Sequence, residues 1–187
     1  MKTVNIKILA ISGSARERST NTAFLKTIKK LSPLHIEITV FNQLSLLPIF
    51  SPDNEEEMTP EAVKEFIHAI SVADGIIISS PEYIRSIPGG LKNAIDWMVS
   101  RIEIIDKPIV LAHASSRGDD MLISLRKVLS TLSGNFFEHL FLRISLLGKS
   151  PEEINELQCS TEHQILIVSF LNDFAREIYQ SQLREND

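Results

Sequence analysis

Cysteine is almost missing from this chain: Cys159 stands alone. One thiol makes no intramolecular disulfide and no thiolate metal cluster, so a reduced thiol in the cytoplasm is the expected state. The five histidines, His35, His68, His113, His139 and His163, include no pair three to five residues apart. A helical metal pair is therefore excluded, no metal is expected, and each histidine reads as structural. With seven glycines and eight prolines, the chain is too poor in both to be collagen-like or of low complexity. No apolar run approaches the ~20 residues of a membrane helix, and Ile8-Leu9-Ala10-Ile11 is too short for a signal-peptide core. Basic residues are outnumbered, 19 to 24, for a formal net charge of −5. That balance argues against general nucleic-acid binding, which needs a basic footprint. Three motifs are also missing: the Walker loop, the G-x-G-x-x-G dinucleotide fingerprint and the G-x-S-x-G elbow of serine hydrolases.

What remains is an ordinary globular composition, 43% apolar and 23% charged over 187 residues, which fits one domain spanning residues 1–187. Short apolar runs alternate with amphipathic stretches. Strands are predicted at 6–12, 36–41, 75–80, 108–112 and 141–144. Helices are predicted at 21–31, 60–73, 89–101, 119–133 and 161–183. Thr59 is the expected N-cap of the second helix, with Pro60 in its first position. Residues 51–59, with Glu55-Glu56-Glu57, read as a mobile surface loop, and 151–160 as a long connection whose Pro-Glu-Glu start opens one helical turn. Five βα units in a row imply a parallel sheet with helices on both faces.

In such sheets ligands bind outside the carboxyl ends of the strands, near the switch in strand order. Three loops stand there. The first, 12–21, is rich in hydroxyls, carries Arg16 and Arg18, and runs into a helix. It reads either as an anion cradle or as a polar capping loop with Ser19, Thr20 or Asn21 as N-cap. The second, 79–90, is stiffened by two prolines beside Tyr83. It either presents backbone groups to the edge of a flat heterocycle or is a rigid turn with Tyr83 on the surface. The third, 114–120, offers Ser115, Arg117 and Gly118 to the far side of a pocket, with Asp119 or Asp120 expected to cap the next helix. These loops converge in a flavodoxin-like α/β three-layer sandwich of strand order 2-1-3-4-5, with a mononucleotide phosphate at the first loop and its ring between the other two.

Gly13-Ser14-Ala15-Arg16 through Ser19-x-Asn21 resembles the GSxRxxSxN loop of the NAD(P)H-dependent FMN reductases. Pro81-Glu82-Tyr83 with Ser86-x-Pro88-Gly89-x-Leu91-Lys92-Asn93-Ala94-Ile95-Asp96-Trp97 is similar to that family's PEYNxSxPGxLKNAIDW segment. Leu47-Pro48-Ile49-Phe50 with Pro52-Asp53 matches its stretch after strand 2. The likeness runs to about residue 150. It implies bound FMN, with NADPH or NADH as co-substrate. Hydride would pass to the flavin and on to a quinone, flavin, azo compound or chromate in ping-pong fashion. The alternatives are an FMN-binding electron carrier or a non-catalytic family member.

By that match Ser14, Arg16, Ser19 and Asn21 hold the phosphate, with Ser12 and Thr20 beside them. Pro81, Glu82 and Tyr83 line the isoalloxazine, with Ile84 and Ser86 following, and Ser115, Arg117 and Gly118 close the site. Arg85 and Tyr83 are expected next to the substrate, Arg85 drawing in an anion or standing as a solvated loop residue. No protein residue is expected to be catalytic, because the flavin carries the chemistry. Lys92, Asn93, Asp96 and Trp97 are expected to orient loops and pack the sheet. Two positions depart from the family: Ile84 replaces Asn, and Asp119-Asp120 replaces a Gly-Gly pair. The two acids are expected to repel an anionic ring or dinucleotide. The family also implies a homodimer or homotetramer.

Overall fold

Alternation within the strands builds two cores at once, because successive strand side chains point to opposite faces. The computed structural model describes residues 5–184; the side chains of Gln158 and Cys159 lie outside that description, and with them the reduced-thiol reading of Cys159. Strands β1 (Ile6–Ser12), β2 (Ile36–Phe41), β3 (Gly75–Ser79), β4 (Ile109–His113) and β5 (Phe136–Arg143) form one parallel sheet in the order β2-β1-β3-β4-β5. Ile8, Ala10, Ile77, Val110 and Leu142 face one way, onto helices α1 (Thr20–Lys30), α5 (Pro151–Asn155) and α6 (Thr161–Arg184). Leu9, Ile11, Ile76, Ile78 and Leu111 face the other, onto α2 (Glu61–Ser71), α3 (Gly89–Asp96) and α4 (Asp119–Leu132). The expected three-layer, flavodoxin-like sandwich is the observed one. Among the described residues no helix is long and apolar enough to cross a membrane.

Most predicted boundaries hold within a residue or two. Two boundaries and one cap assignment differ from the prediction. β5 starts at Phe136 rather than 141, because a register shift against β4 between Ile109 and Leu111 breaks the period-two pattern. The third helix stops at Asp96, not at 101. The amides of Met98, Val99 and Arg101 bond to carbonyls three residues back, tightening the chain into turns, and Ile102 is left 81% exposed instead of continuing the buried stripe. The second helix begins one residue late, with Pro60 rather than Thr59 at the cap position; the Thr59 hydroxyl instead accepts from Arg101 Nη2 at 3.4 Å. Residues 51–59 fold into two 3-10 turns, Pro52–Asn54 and Glu56–Met58. The 151–160 connection opens with the expected turn, closed by a capping box between Ser150 and Glu153.

Candidate flavin-binding cleft

The first loop is built around a contact that only glycine permits. Gly13 N–H donates to the Ser79 carbonyl at 2.8 Å. A Cβ on Gly13 would lie 2.6 Å from Ser80 Oγ and 2.9 Å from Leu91 Cδ2, so the first loop rests directly on the second. Ser19 is the N-cap of α1, its Oγ accepting from Thr22 N at 3.3 Å. Ser12 and Thr22 share a buried hydroxyl–hydroxyl bond of 2.8 Å, and Ser79 Oγ donates to Asn21 Oδ1 at 2.9 Å. Ser12 and Asn21 therefore also lock α1 to the central strands. Ser14 Oγ accepts from Arg16 N at 3.3 Å. A hydroxyl that accepts an amide keeps its own proton, so Ser14 and Ser19 both retain a donor for an anion. The first amides of α1 add to them, having no carbonyl of their own helix to bond. Arg16 is exposed and takes part in no ion pair among the described residues; Arg18 turns away to Glu152 at 2.9 Å.

The second loop contains a two-residue hairpin turn. Tyr83 N donates to Ser86 O at 3.1 Å and Ser86 N to Tyr83 O at 3.0 Å, with Ile84 at φ 48° and Arg85 at φ 56°. The loop is pinned to α4 at two points. Met121 N donates to Glu82 Oε2 at 3.0 Å, and Arg85 Nε donates to Asp120 Oδ2 at 2.5 Å. The N-cap of α4 is Gly118, at φ 99° and with no side chain to cap anything. This corrects the expectation that Asp119 or Asp120 caps α4: Glu82, from another loop, does so. Glu82→Ala is accordingly expected to lower stability by about 1 kcal/mol. Its melting temperature should fall by about 2–4 °C, while Glu82→Gln, which keeps the acceptor, stays near the parent in the same thermal scan.

The third loop is stapled from β5. Arg143 donates to the Ser115 carbonyl (2.8 Å), to Asp119 Oδ1 (2.9 Å) and to the Arg117 carbonyl (3.4 Å). His113 Nε2 donates to the same Arg117 carbonyl at 2.5 Å. Burial pushes the His113 imidazole below its ordinary range, with Arg143 adding to the effect, against the opposing pull of that carbonyl. Asp119 and Asp120 are thus each paired with an arginine rather than facing the site as bare charges. The expected repulsion is largely neutralised by those pairs.

Together the loops enclose a cleft of about 340 Å³ at the carboxyl ends of the strands, in the range of small-molecule sites. Of the expected residues, Thr20, Asn21, Pro81, Glu82, Ser115, Arg117 and Gly118 line it. Ser12, Ser14, Arg16 and Ser19 form the loop beside it, and Tyr83, Ile84, Arg85 and Ser86 form the turn at its edge. Sequence reasoning missed His113 and Leu146-Leu147-Gly148, which complete the wall. The available signal was positional: His113 ends β4, and residues 146–148 follow β5, so both stand at strand carboxyl ends. Asn93 and Trp97 hold the stretch after β2. Asn93 Oδ1 accepts from Phe50 N at 2.8 Å, and Asn93 Nδ2 and Trp97 Nε1 donate to Pro48 O at 2.9 and 2.8 Å.

A parallel sheet of this order, with a hydroxyl-lined helix N-terminus beside a cleft at the β1/β3 switch point, defines a flavodoxin-type mononucleotide-binding domain. Residues 6–144 match the NADPH-dependent FMN reductase family, and the chain belongs to it. It is 32% identical over 182 residues to an NAD(P)H-dependent FMN reductase of Pseudomonas aeruginosa, covering 96% of this chain and 92% of that protein. It is 36% identical over 118 residues to the quinone reductase of Escherichia coli K12, covering 60% of this chain and 61% of that protein's length. In fold it is similar to a flavoenzyme NAD(P)H:(acceptor) oxidoreductase from Paracoccus denitrificans, with a TM-score of 0.73 at 22% identity over 94% of this chain and 98% of that one.

Proposed function

We propose that this chain is an NAD(P)H-dependent reductase that binds FMN in the cleft and passes its electrons to a small-molecule acceptor. The observation carrying this reading is the convergence of an anion-ready loop and a proline-fixed loop on one cleft. The residues fit the group: Ser14 and Ser19 keep hydroxyl donors, α1 offers its first amides, and Arg16 supplies a positive charge at the phosphate end that no described residue pairs with. Bound FMN would supply the two-electron relay, taking hydride from NADPH or NADH and yielding electrons to a quinone, flavin, azo compound or chromate.

The protein's part is positional. Glu82 and His113, the carboxylate and the imidazole of the cleft wall, both hold backbone rather than stand free: Glu82 the Met121 amide, His113 the Arg117 carbonyl. Pro81 and the Glu82 latch fix the wall against which a ring would lie. One cleft serves both substrates, so dinucleotide and acceptor occupy it in turn, which is a ping-pong order. The homodimer or homotetramer belongs to the same reading. A groove of about 830 Å³ between the distal ends of α3 and α4, lined by Ile95, Val99, Ile105, Val128 and Leu132, offers apolar surface to a second copy, away from the cleft.

The test is the visible spectrum of the protein after FMN loading and removal of excess, before and after anaerobic NADPH or NADH. Rapid bleaching by either supports the reductase. Bleaching by dithionite alone supports an electron carrier, and a colourless protein removes the FMN assignment. Arg16→Ala is expected to weaken FMN binding by about 10- to 100-fold, the effect of one lost charge-assisted hydrogen bond. Unchanged flavin affinity would sink the phosphate assignment.

A further inference from the structure

The turn at the edge of the cleft holds a side chain that the fold itself does not use. Ile84 is 99% exposed and sits at φ 48°, followed by Arg85 at φ 56°. Two-residue turns with both central residues left-handed take Asn-Gly or Asp-Gly, because a branched Cβ is strained there. Ile84 has a branched Cβ and, at 99% exposure, is not packed against the described residues. The surroundings nevertheless force the conformation: the Tyr83–Ser86 bonds close the turn, Glu82 holds Met121 N behind it, and Arg85 pairs with Asp120 beside it. Glu82 and Gly118 both line the cleft, so a turn strung between Glu82 and the start of α4 runs along the cleft's mouth. Two further apolar side chains are uncovered at this end of the sheet, Tyr83 at 44% and Leu147, itself a cleft residue, at 58%. Strain maintained at a site rim marks a functional constraint.

We propose that Ile84 is the specificity-determining residue for the electron acceptor, giving a flat apolar acceptor such as a substituted quinone an aliphatic contact that a small hydrophilic ion cannot use. The inference rests on the reductase reading above. Charge at the mouth is consistent with it: Arg85 and Asp120 cancel, leaving the exposed aliphatic group as the discriminating feature. Asn at this position would relax the turn and remove the contact; Leu would keep an aliphatic side chain.

The experiment compares the FMN-loaded parent with Ile84→Asn and Ile84→Leu, using naphthoquinone and ferricyanide. Dissociation constants for naphthoquinone on the oxidised proteins are read from flavin fluorescence, alongside the ratio of kcat/KM for the two acceptors. Ile84→Asn is expected to weaken naphthoquinone binding about tenfold, the effect of losing part of one buried aliphatic side chain. The quinone-to-ferricyanide ratio should fall by a similar factor, and Ile84→Leu should stay within about threefold of the parent in both. The melting temperature of the flavin-free Asn variant should equal or exceed the parent's, as relief of strain requires. If the parent loads FMN and is bleached by NAD(P)H but all three proteins bind naphthoquinone alike, this inference alone fails. A parent that takes up no FMN overturns the reductase reading and this inference together. An Asn variant that drops to a lower oligomeric state in light scattering also overturns it, since Ile84 would then cover a second copy of the chain.

Discussion

Trp97→Ala is expected to destabilise the protein by about 3–5 kcal/mol, the usual cost of emptying a large core site. In a chain of this size that lowers the melting temperature by roughly 10 °C or more. Trp97 is 0% exposed, its Nε1 donates to Pro48 O at 2.8 Å, and its ring meets Phe50 edge-on at 5.1 Å between centroids. Pro48 O also accepts from Asn93, so the truncation does not orphan that carbonyl, and the loss is mainly cavity. Trp97→Phe separates the parts, restoring most of the volume without the indole N–H, and should recover more than half of the loss. The loop after β2 hangs on these bonds, so limited proteolysis within residues 44–54 should speed up in Trp97→Ala. A thermal scan within about 2 °C of the parent would show that the helix α3 end does not anchor this loop.

Gly13→Val should do more to the cleft than to the fold. The atoms that a side chain would strike, Ser80 Oγ and Cβ at 2.6 and 2.8 Å and Leu91 Cδ2 at 2.9 Å, belong to the second loop and α3. Room is made only by parting the first and second loops. Overpacking of this kind costs about 1–3 kcal/mol. The larger effect is on the cofactor: a displaced first loop forfeits two charge-assisted hydrogen bonds at about 1.5 kcal/mol each, roughly a hundredfold in FMN affinity. Equilibrium dialysis against FMN measures it, and circular dichroism confirms that the variant is folded. Retention of parent affinity in a folded variant would mean that the contact between the two loops does not shape the site.

What could be read from the chain was what repeats locally. Apolar runs placed β1, β3 and β4, helical stripes placed α1, α4 and α6, and the rule that ligands gather at strand carboxyl ends located the cleft. Periodicity failed where a bulge interrupts it, in β5, and where it outlives the hydrogen bonding, after Asp96. The cross-chain bonds were invisible. Nothing near Glu82 in sequence marks it as the cap of a helix whose amide at Met121 lies 39 residues on. Nor did Asp119 and Asp120 reveal that Arg143 and Arg85 would meet them, which is why two neutralised acids read as a repulsive pair. The residues missed in the cleft wall, His113 and 146–148, lie at the ends of strands whose limits were misplaced by a residue or more.

The irregular edge strand β5 has a meaning beyond its misplaced start. Glu138 and His139 are exposed along it, and its register shift against β4 twists the edge out of line. A strand from another molecule finds there no flat, uncharged ladder to extend, so the sheet is guarded on that side against edge-to-edge aggregation. Copies of this chain that meet on that side are thereby turned from the β5 edge toward the helices that flank it.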